Sequence, residues 1–160
     1  MYVYKIRSLL HVCSIPLTYK GTTLRGIMYN MSRQDPNPSP YGALQYYQIH
    51  YIITDTVFPN PESLLAKCKP INKGHFGNKR VVDIRWWGGR LAEILQEDTE
   101  LKEMLKEVLQ KEGEIRIDPL EDHVRIYSKW KHEDDLKFDP RVFEVVDKIA
   151  YHIQKLNGHQ

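Results

Sequence analysis

The first half of the chain carries the alternating pattern of β-strands. Residues 44–57 place successive side chains on opposite faces, and residues 22–31 and 79–87 repeat that alternation. In the last of these segments, the apolar residues that share one face are Val82, Ile84 and Trp86. A period of two is that of an extended chain in a sheet. We therefore predict three strands here, with residues 44–57 forming the strongest.

Two stretches between these segments interrupt the alternation. Residues 32–41 carry a proline at every second position from Pro36 to Pro40. Because proline lacks a backbone N–H, this spacing predicts an extended loop. Residues 60–78 are predicted to be irregular, with one short helix at residues 61–67. Residues 1–20 combine helical spacing with a strand-favouring start, so their structure stays open.

The second half is patterned for helices around one hairpin. From residue 91 onward, apolar residues recur three and four positions apart, as on one face of a helix. Asp98 and Thr99 can each cap a new helix and Gly113 supplies a stop, so we predict a short helix, a break and a longer helix. Residues 115–126 alternate as a hairpin. Asp139 followed by Pro140 is a strong helix start, because proline is favoured at the first helical position. The residues that this last helix is predicted to turn inward are Val142, Phe143, Val146, Ile149, Ala150 and Ile153.

This order of elements predicts an α+β protein. Strands come first, and the C-terminal half then follows an α-β-β-α order. We expect a mostly antiparallel sheet with helices packed on one face. At 160 residues, the chain is predicted to form one domain over residues 1–160. Its basic, strand-rich part is residues 1–90, and its acidic helix-hairpin-helix part is residues 91–160.

Composition narrows the class of protein. Apolar residues make up 41% of the chain and charged residues 28%, as in an ordinary globular protein. The two cysteines, Cys13 and Cys68, are too few for a disulfide framework and indicate buried free thiols. Free thiols suit a reducing compartment. The apolar stretch at residues 9–17 is too short to span a bilayer, so no transmembrane segment is expected and we predict a cytoplasmic protein.

The sequence carries no recognised catalytic motif. Its seven histidines form none of the close pairs that bind zinc, and no phosphate-binding glycine loop or nucleophile elbow is present. We therefore predict no cofactor and no metal ligands, and we name no catalytic residues.

The distribution of charge suggests one candidate binding region. Residues 1–90 hold 12 basic and 4 acidic residues, whereas the remainder holds 11 basic and 17 acidic residues. The basic excess can attract a polyanion, or it can attract the acidic half of the same fold. The candidate contacts for an anion or a nucleic acid are Lys67, Lys69, Lys73, Lys79, Arg80, Arg85, Trp87 and Arg90. Lysines and arginines neutralise phosphates, and an exposed tryptophan can stack on a base.

Two functions remain open at this stage. The first is a non-enzymatic protein-interaction or scaffolding module, whose partner is another protein or a second copy of the chain. Its contacts would come from a sheet edge or from the tyrosines of residues 44–57, a residue type common in recognition surfaces. The alternative is binding of a nucleic acid or another polyanion through residues 67–90. An enzyme of unrecognised class ranks third.

Overall fold

The fold is built on an antiparallel sheet. The computed structural model describes residues 12–13, 18–19, 22–23, 27–34, 46–53, 59–75, 77–121, 123–135 and 139–157. Six strands have five or more residues: β4 (Ile27–Gln34), β5 (Tyr46–Ile53), β6 (Ala66–Lys73), β7 (Arg80–Gly88), β8 (Ile115–Pro119) and β9 (Val124–Ser128). The short strands are β1 (Val12–Cys13), β2 (Thr18–Tyr19), β3 (Thr22–Thr23) and β10 (Lys131–His132).

The order of strands across the sheet differs from their order along the chain. It runs β1-β4-β5-β9-β8-β6-β7, with β10 paired to β5 and with β2 and β3 forming a separate two-stranded sheet. Each of these pairs is antiparallel. Strand β7 therefore lies at one end of the sheet, and β6 separates it from β8.

There are three α-helices among the described residues, and they are α1 (Arg90–Glu97), α2 (Thr99–Glu112) and α3 (Pro140–Asn157). Local chemistry marks both ends of α2 and the start of α3. The Asp98 carboxylate accepts the Leu101 N–H at 2.9 Å and caps α2. Gly113, at φ 75°, ends the same helix. The Asp139 carboxylate accepts the Arg141 N–H at 3.1 Å at the start of α3. The predicted α-β-β-α order is confirmed.

The helices pack on one face of the sheet. Helices α1 and α2 contact β6 and β7, and α3 contacts α1 and α2. The ring of Phe143 in α3 meets the ring of Tyr51 in β5 edge-on, with centroids 5.5 Å apart. Every residue predicted to point inward from α3 is buried except Val142, which is half-buried, and Val145 is buried as well. The predicted α+β class, with an antiparallel sheet covered by helices on one side, is thus confirmed.

The prediction that residues 60–78 are irregular is wrong. Only Pro61–Leu64 forms a short 3₁₀ helix, and β6 follows directly. Pro70 made this segment resemble a loop. It is tolerated because β8 pairs with β6 only through Cys68, so Pro70 lies beyond the part of β6 that has a strand on both sides.

The prediction for the faces of β7 is wrong at one residue. Ile71 pairs with Asp83 and Asn72 pairs with Val81, so Val82 is an extra residue on β7. This bulge turns Val81 into the core and leaves Val82 exposed. The predicted loop at residues 32–41 is wrong at its first three residues, because β4 extends to Gln34. The predictions for residues 35–41 and for most of residues 1–20 lie outside the described residues.

Candidate functional site

Four of the predicted contact residues lie together on the side of the β6–β7 hairpin that faces away from the helices. In the strand register Lys67 is opposite Trp87 and Lys69 is opposite Arg85. Directly opposed residues of an antiparallel pair project to the same face. We call Lys67, Lys69, Arg85 and Trp87 the hairpin face.

The local sequence explains why these side chains point outward. Ala66 and Cys68 of β6 and Ile84 and Trp86 of β7 are buried. Because side chains alternate along a strand, the residues between them must turn away from the core. Trp86 is 6% exposed and Trp87 is 47% exposed.

The inward position of Cys68 confirms one of the predicted buried thiols. Its side chain is fully buried, and burial raises the pKa of the thiol to about 12. A thiol that stays protonated at neutral pH is a poor nucleophile, so Cys68 serves the packing of the core.

The hairpin face is electropositive. Among the described residues, Lys69 and Arg85 form no salt bridge. Lys67 Nζ lies 3.5 Å from Glu114 Oε2, and the same carboxylate receives Arg116 Nε at 2.9 Å. The acid of β7 is Asp83, and its Oδ1 lies 2.8 Å from Lys102 Nζ of α2. That contact holds the pKa of the Asp83 carboxyl below its usual range. Cations therefore outnumber the acids that could neutralise them at this face.

Arg116 is a further cation beside the hairpin face, and the sequence prediction did not include it. It lies opposite Lys67 in the register of β8 with β6, so it extends the row that begins at Trp87. The alternation of Ile115 and Ile117 was a usable signal, because it places Arg116 on the outward side of β8.

From Arg116 the row of directly opposed residues continues to Tyr127 of β9 and His50 of β5, whose side chains contact each other. The ring of Tyr127 stacks on His50 at 5.3 Å, and the Arg125 guanidinium lies 4.8 Å from the Tyr127 ring centroid. The Tyr127 hydroxyl donates to Asp118 at 2.7 Å. Burial, with a contribution from the Arg125 charge, lowers the pKa of His50 to about 4, so its ring is neutral at pH 7. The Tyr127 ring is committed to these contacts and does not form a second open aromatic surface.

The other four predicted contact residues lie elsewhere. Lys73 is paired with Arg80 at the far end of the hairpin, beyond the bulge. Lys79 and Arg80 line a groove of about 680 Å³ together with α2 and α3, and this groove also holds Glu103 and Glu107. Arg90 begins α1 and pairs with Glu93 at 2.6 Å. The structure thus brings together Lys67, Lys69, Arg85 and Trp87 but not the whole predicted set.

The outer edge of β7 is occupied by side chains from the helices. The Gln110 amide accepts the Val81 N–H at 3.0 Å and donates to the Lys79 carbonyl at 2.8 Å. The Gln96 side-chain oxygen accepts the backbone N–H of Trp86 at 2.8 Å. These contacts take the place of a neighbouring strand, so this edge is not open to an added strand from a partner.

The tyrosines of β5 do not form the recognition surface considered from the sequence. Tyr47 and Tyr51 are buried, and Tyr46 is half-buried. Strand β5 lies between β4 and β9, and residues on both of its faces are buried.

Within the described part of the chain, no three His, Cys, Asp or Glu side chains are grouped so that they could hold a metal ion. None of the helices described here is long and apolar enough to cross a bilayer. Comparison of the chain with protein-family models, with curated proteins and with solved structures finds no match.

Proposed function

We propose that the protein binds an anionic polymer and that the hairpin face is its binding surface. The observation that carries this proposal is the direct pairing of Lys67 with Trp87 and of Lys69 with Arg85 on the side of the sheet away from the helices. This pairing places cations beside an exposed aromatic ring on the β6–β7 hairpin.

The energetics of these side chains support a binding role. Exposed cations without acidic partners remain able to pair with phosphate or sulfate groups, and each contact releases a condensed counterion. Lys69 and Arg85 are both exposed and lack a salt bridge within the described residues. Their side chains therefore need not break internal contacts before they bind a polyanion.

Salt dependence tests the proposal. Three phosphate contacts, from Lys67, Lys69 and Arg85, imply a slope of log affinity against log salt of about −2 to −3. The measurement is a titration with oligonucleotides and with heparin at several salt concentrations. The double reversal Lys69→Glu/Arg85→Glu should weaken binding and flatten the slope by about 1.4 to 1.8.

A matched control separates this site from the effect of net charge. Lys106 of α2 and Lys155 of α3 belong to the helical layer on the other side of the sheet. The variant Lys106→Glu/Lys155→Glu changes the net charge by the same amount. If it weakens binding as strongly as the hairpin variant, the hairpin face is not the site.

Protein binding at the same hairpin is a second candidate, and one observation favours it. Ile71 and Val82 are exposed apolar side chains that lie next to the bulge between β6 and β7. Exposed apolar side chains that lie close together are typical of protein contacts. We would then expect self-association that Ile71→Lys abolishes and that high salt does not weaken, as measured by sedimentation. A monomer at all concentrations, with wild-type binding of polyanions by Ile71→Lys, would exclude this candidate.

A further inference from the structure

Trp87 occupies a rigid part of the hairpin. Its neighbour Gly88 has φ 141°, and a Cβ there would lie 2.0 Å from the Leu65 carbonyl oxygen. The Gly89 N–H donates to the same carbonyl at 2.8 Å. Because these two segments approach so closely, the backbone next to Trp87 is held in one position. The indole is therefore presented from a fixed backbone.

The indole of Trp87 differs from the other aromatic ring in its row. Tyr127 has His50 stacked on its ring, Arg125 close to the ring centroid and Asp118 on its hydroxyl. Trp87 has neither a ring partner nor a cation over its ring among the contacts of the described residues, and about half of its surface is exposed. A flat ligand that stacks on Trp87 therefore displaces no ring and no cation of the described residues.

The cations are spaced to hold the backbone of such a ligand. The Lys69–Arg85 pair lies two residues along the hairpin from the Lys67–Trp87 pair. Two residues of a strand span about 7 Å. An extended single strand of nucleic acid advances by a similar length per nucleotide, so a base on Trp87 would bring the neighbouring phosphate toward Lys69 and Arg85.

These contacts select among anionic polymers. In a duplex the faces of the bases are already stacked on one another, so a duplex offers this surface its phosphates alone. A sulfated polysaccharide offers sulfate groups without an aromatic plane. In a single strand, a base can leave its neighbours and stack on an indole, a contact that tolerates any sequence because every base has a flat face.

We propose that the ligand is a single-stranded nucleic acid, with one base stacked on Trp87 and the adjacent phosphates held by Lys69 and Arg85. This inference rests on the function proposed above, because it names the class of polymer that the hairpin face binds.

The test compares three anionic probes of similar length, of which only the first carries bases. They are an oligothymidylate of about 10 nucleotides, the corresponding strand without bases, and heparin. Trp87→Ala should weaken binding of oligothymidylate by about 5- to 150-fold, the cost of losing one stacked base. It should leave binding of the abasic strand and of heparin unchanged, and Trp87→Phe should retain most of the affinity for oligothymidylate. Lys69→Glu/Arg85→Glu should weaken binding of all three.

A control and a second signal keep the test specific. Tyr151 of α3 is an exposed aromatic residue outside the hairpin, so Tyr151→Ala should bind all three probes like the wild type. Oligothymidylate should also quench the tryptophan fluorescence of the wild type but not that of Trp87→Phe. Urea unfolding of each variant checks that the fold is intact.

The outcomes separate the inference from the proposed function. If Trp87→Ala binds oligothymidylate as tightly as the wild type does, while Lys69→Glu/Arg85→Glu weakens all three probes, the stacking inference fails and polyanion binding stands. If the wild type binds none of the probes, both are overturned.

Discussion

Trp86 and Trp87 are consecutive residues of one strand with opposite environments. The indole of Trp86 is buried on the side of β7 that the helices contact, whereas Trp87 is exposed on the side of the hairpin that faces away from the helices. The two residues have the same side chain and the same backbone conformation, so composition and propensity cannot distinguish them. The position of α1 and α2 over one side of β7 makes one tryptophan part of the core and leaves the other accessible to a ligand.

The largest expected effect concerns this pair. Trp86→Ala should lower the free energy of unfolding by about 3–5 kcal/mol, because it leaves a cavity under the helices. Trp87→Ala should lower it by less than about 1 kcal/mol, since its surroundings are partly solvent. Urea unfolding of both variants measures the difference. Equal losses would show that the outer side of the hairpin is packed as tightly as the inner side.

A second prediction tests whether α3 is part of the core on the side of the sheet that the helices contact. Phe143 of α3 is buried and meets Tyr51 of β5. Phe143→Ala should cost about 3–5 kcal/mol of stability. Tyr151→Ala, on an exposed part of the same helix, should cost less than about 0.5 kcal/mol. A loss well under 1 kcal/mol for Phe143→Ala would mean that α3 is peripheral to the core.

The third prediction concerns the buried part of the sheet at β5. His50 has a pKa of about 4 in the folded protein, below its ordinary 6.5. The unfolded chain therefore binds a proton more readily, so this residue makes stability fall as the pH falls from about 6.5 to 4. The contribution at pH 4 is up to about 3 kcal/mol relative to neutral pH.

Unfolding measurements on His50→Gln between pH 7 and pH 4 would isolate this contribution. The variant should lose less stability than the wild type over that interval. His75→Gln, at an exposed histidine of the hairpin loop, is the control and should follow the wild type. Parallel curves for wild type and His50→Gln would show that the pKa of His50 is the same in the folded and the unfolded chain.

The smallest expected effect is at the outer edge of β7. Gln110→Ala removes the side chain that bonds to the Val81 N–H and the Lys79 carbonyl. We expect a loss of about 0.5–1.5 kcal/mol and a new tendency to self-associate through the exposed edge. Gln154→Ala, at an exposed glutamine of α3, is the control for both urea unfolding and sedimentation. A Gln110→Ala variant that behaves like this control would mean that the edge needs no protection.

Local chemistry was sufficient for the helical half of the chain. Asp98, Gly113 and Asp139–Pro140 mark ends of α2 and α3 because a cap, a left-handed glycine and a first-turn proline act on the residues next to them. The alternation of residues 44–57 likewise predicted the strand that the structure shows as β5 at Tyr46–Ile53. Such signals depend on neighbours in sequence, so the sequence alone carries them.

The candidate site required more than local signals. Strand β6 contains Pro70 and four exposed residues, and its pairing with both β7 and β8 makes it a strand. The eight predicted contacts were grouped by their closeness in sequence, whereas the register brings together only four of them and adds Arg116 from β8.

The sequence by itself determined the α+β class, the start of α3 at Pro140, and the alternation that separates Trp86 from Trp87. The tertiary structure decided which of the two tryptophans is exposed, where the bulge at Val82 shifts the faces of β7, and that Tyr47 and Tyr51 are packing residues. The physical reason is that caps and periodicity act over a few residues of chain. Exposure and cross-strand neighbours depend on which distant segments pack against each face.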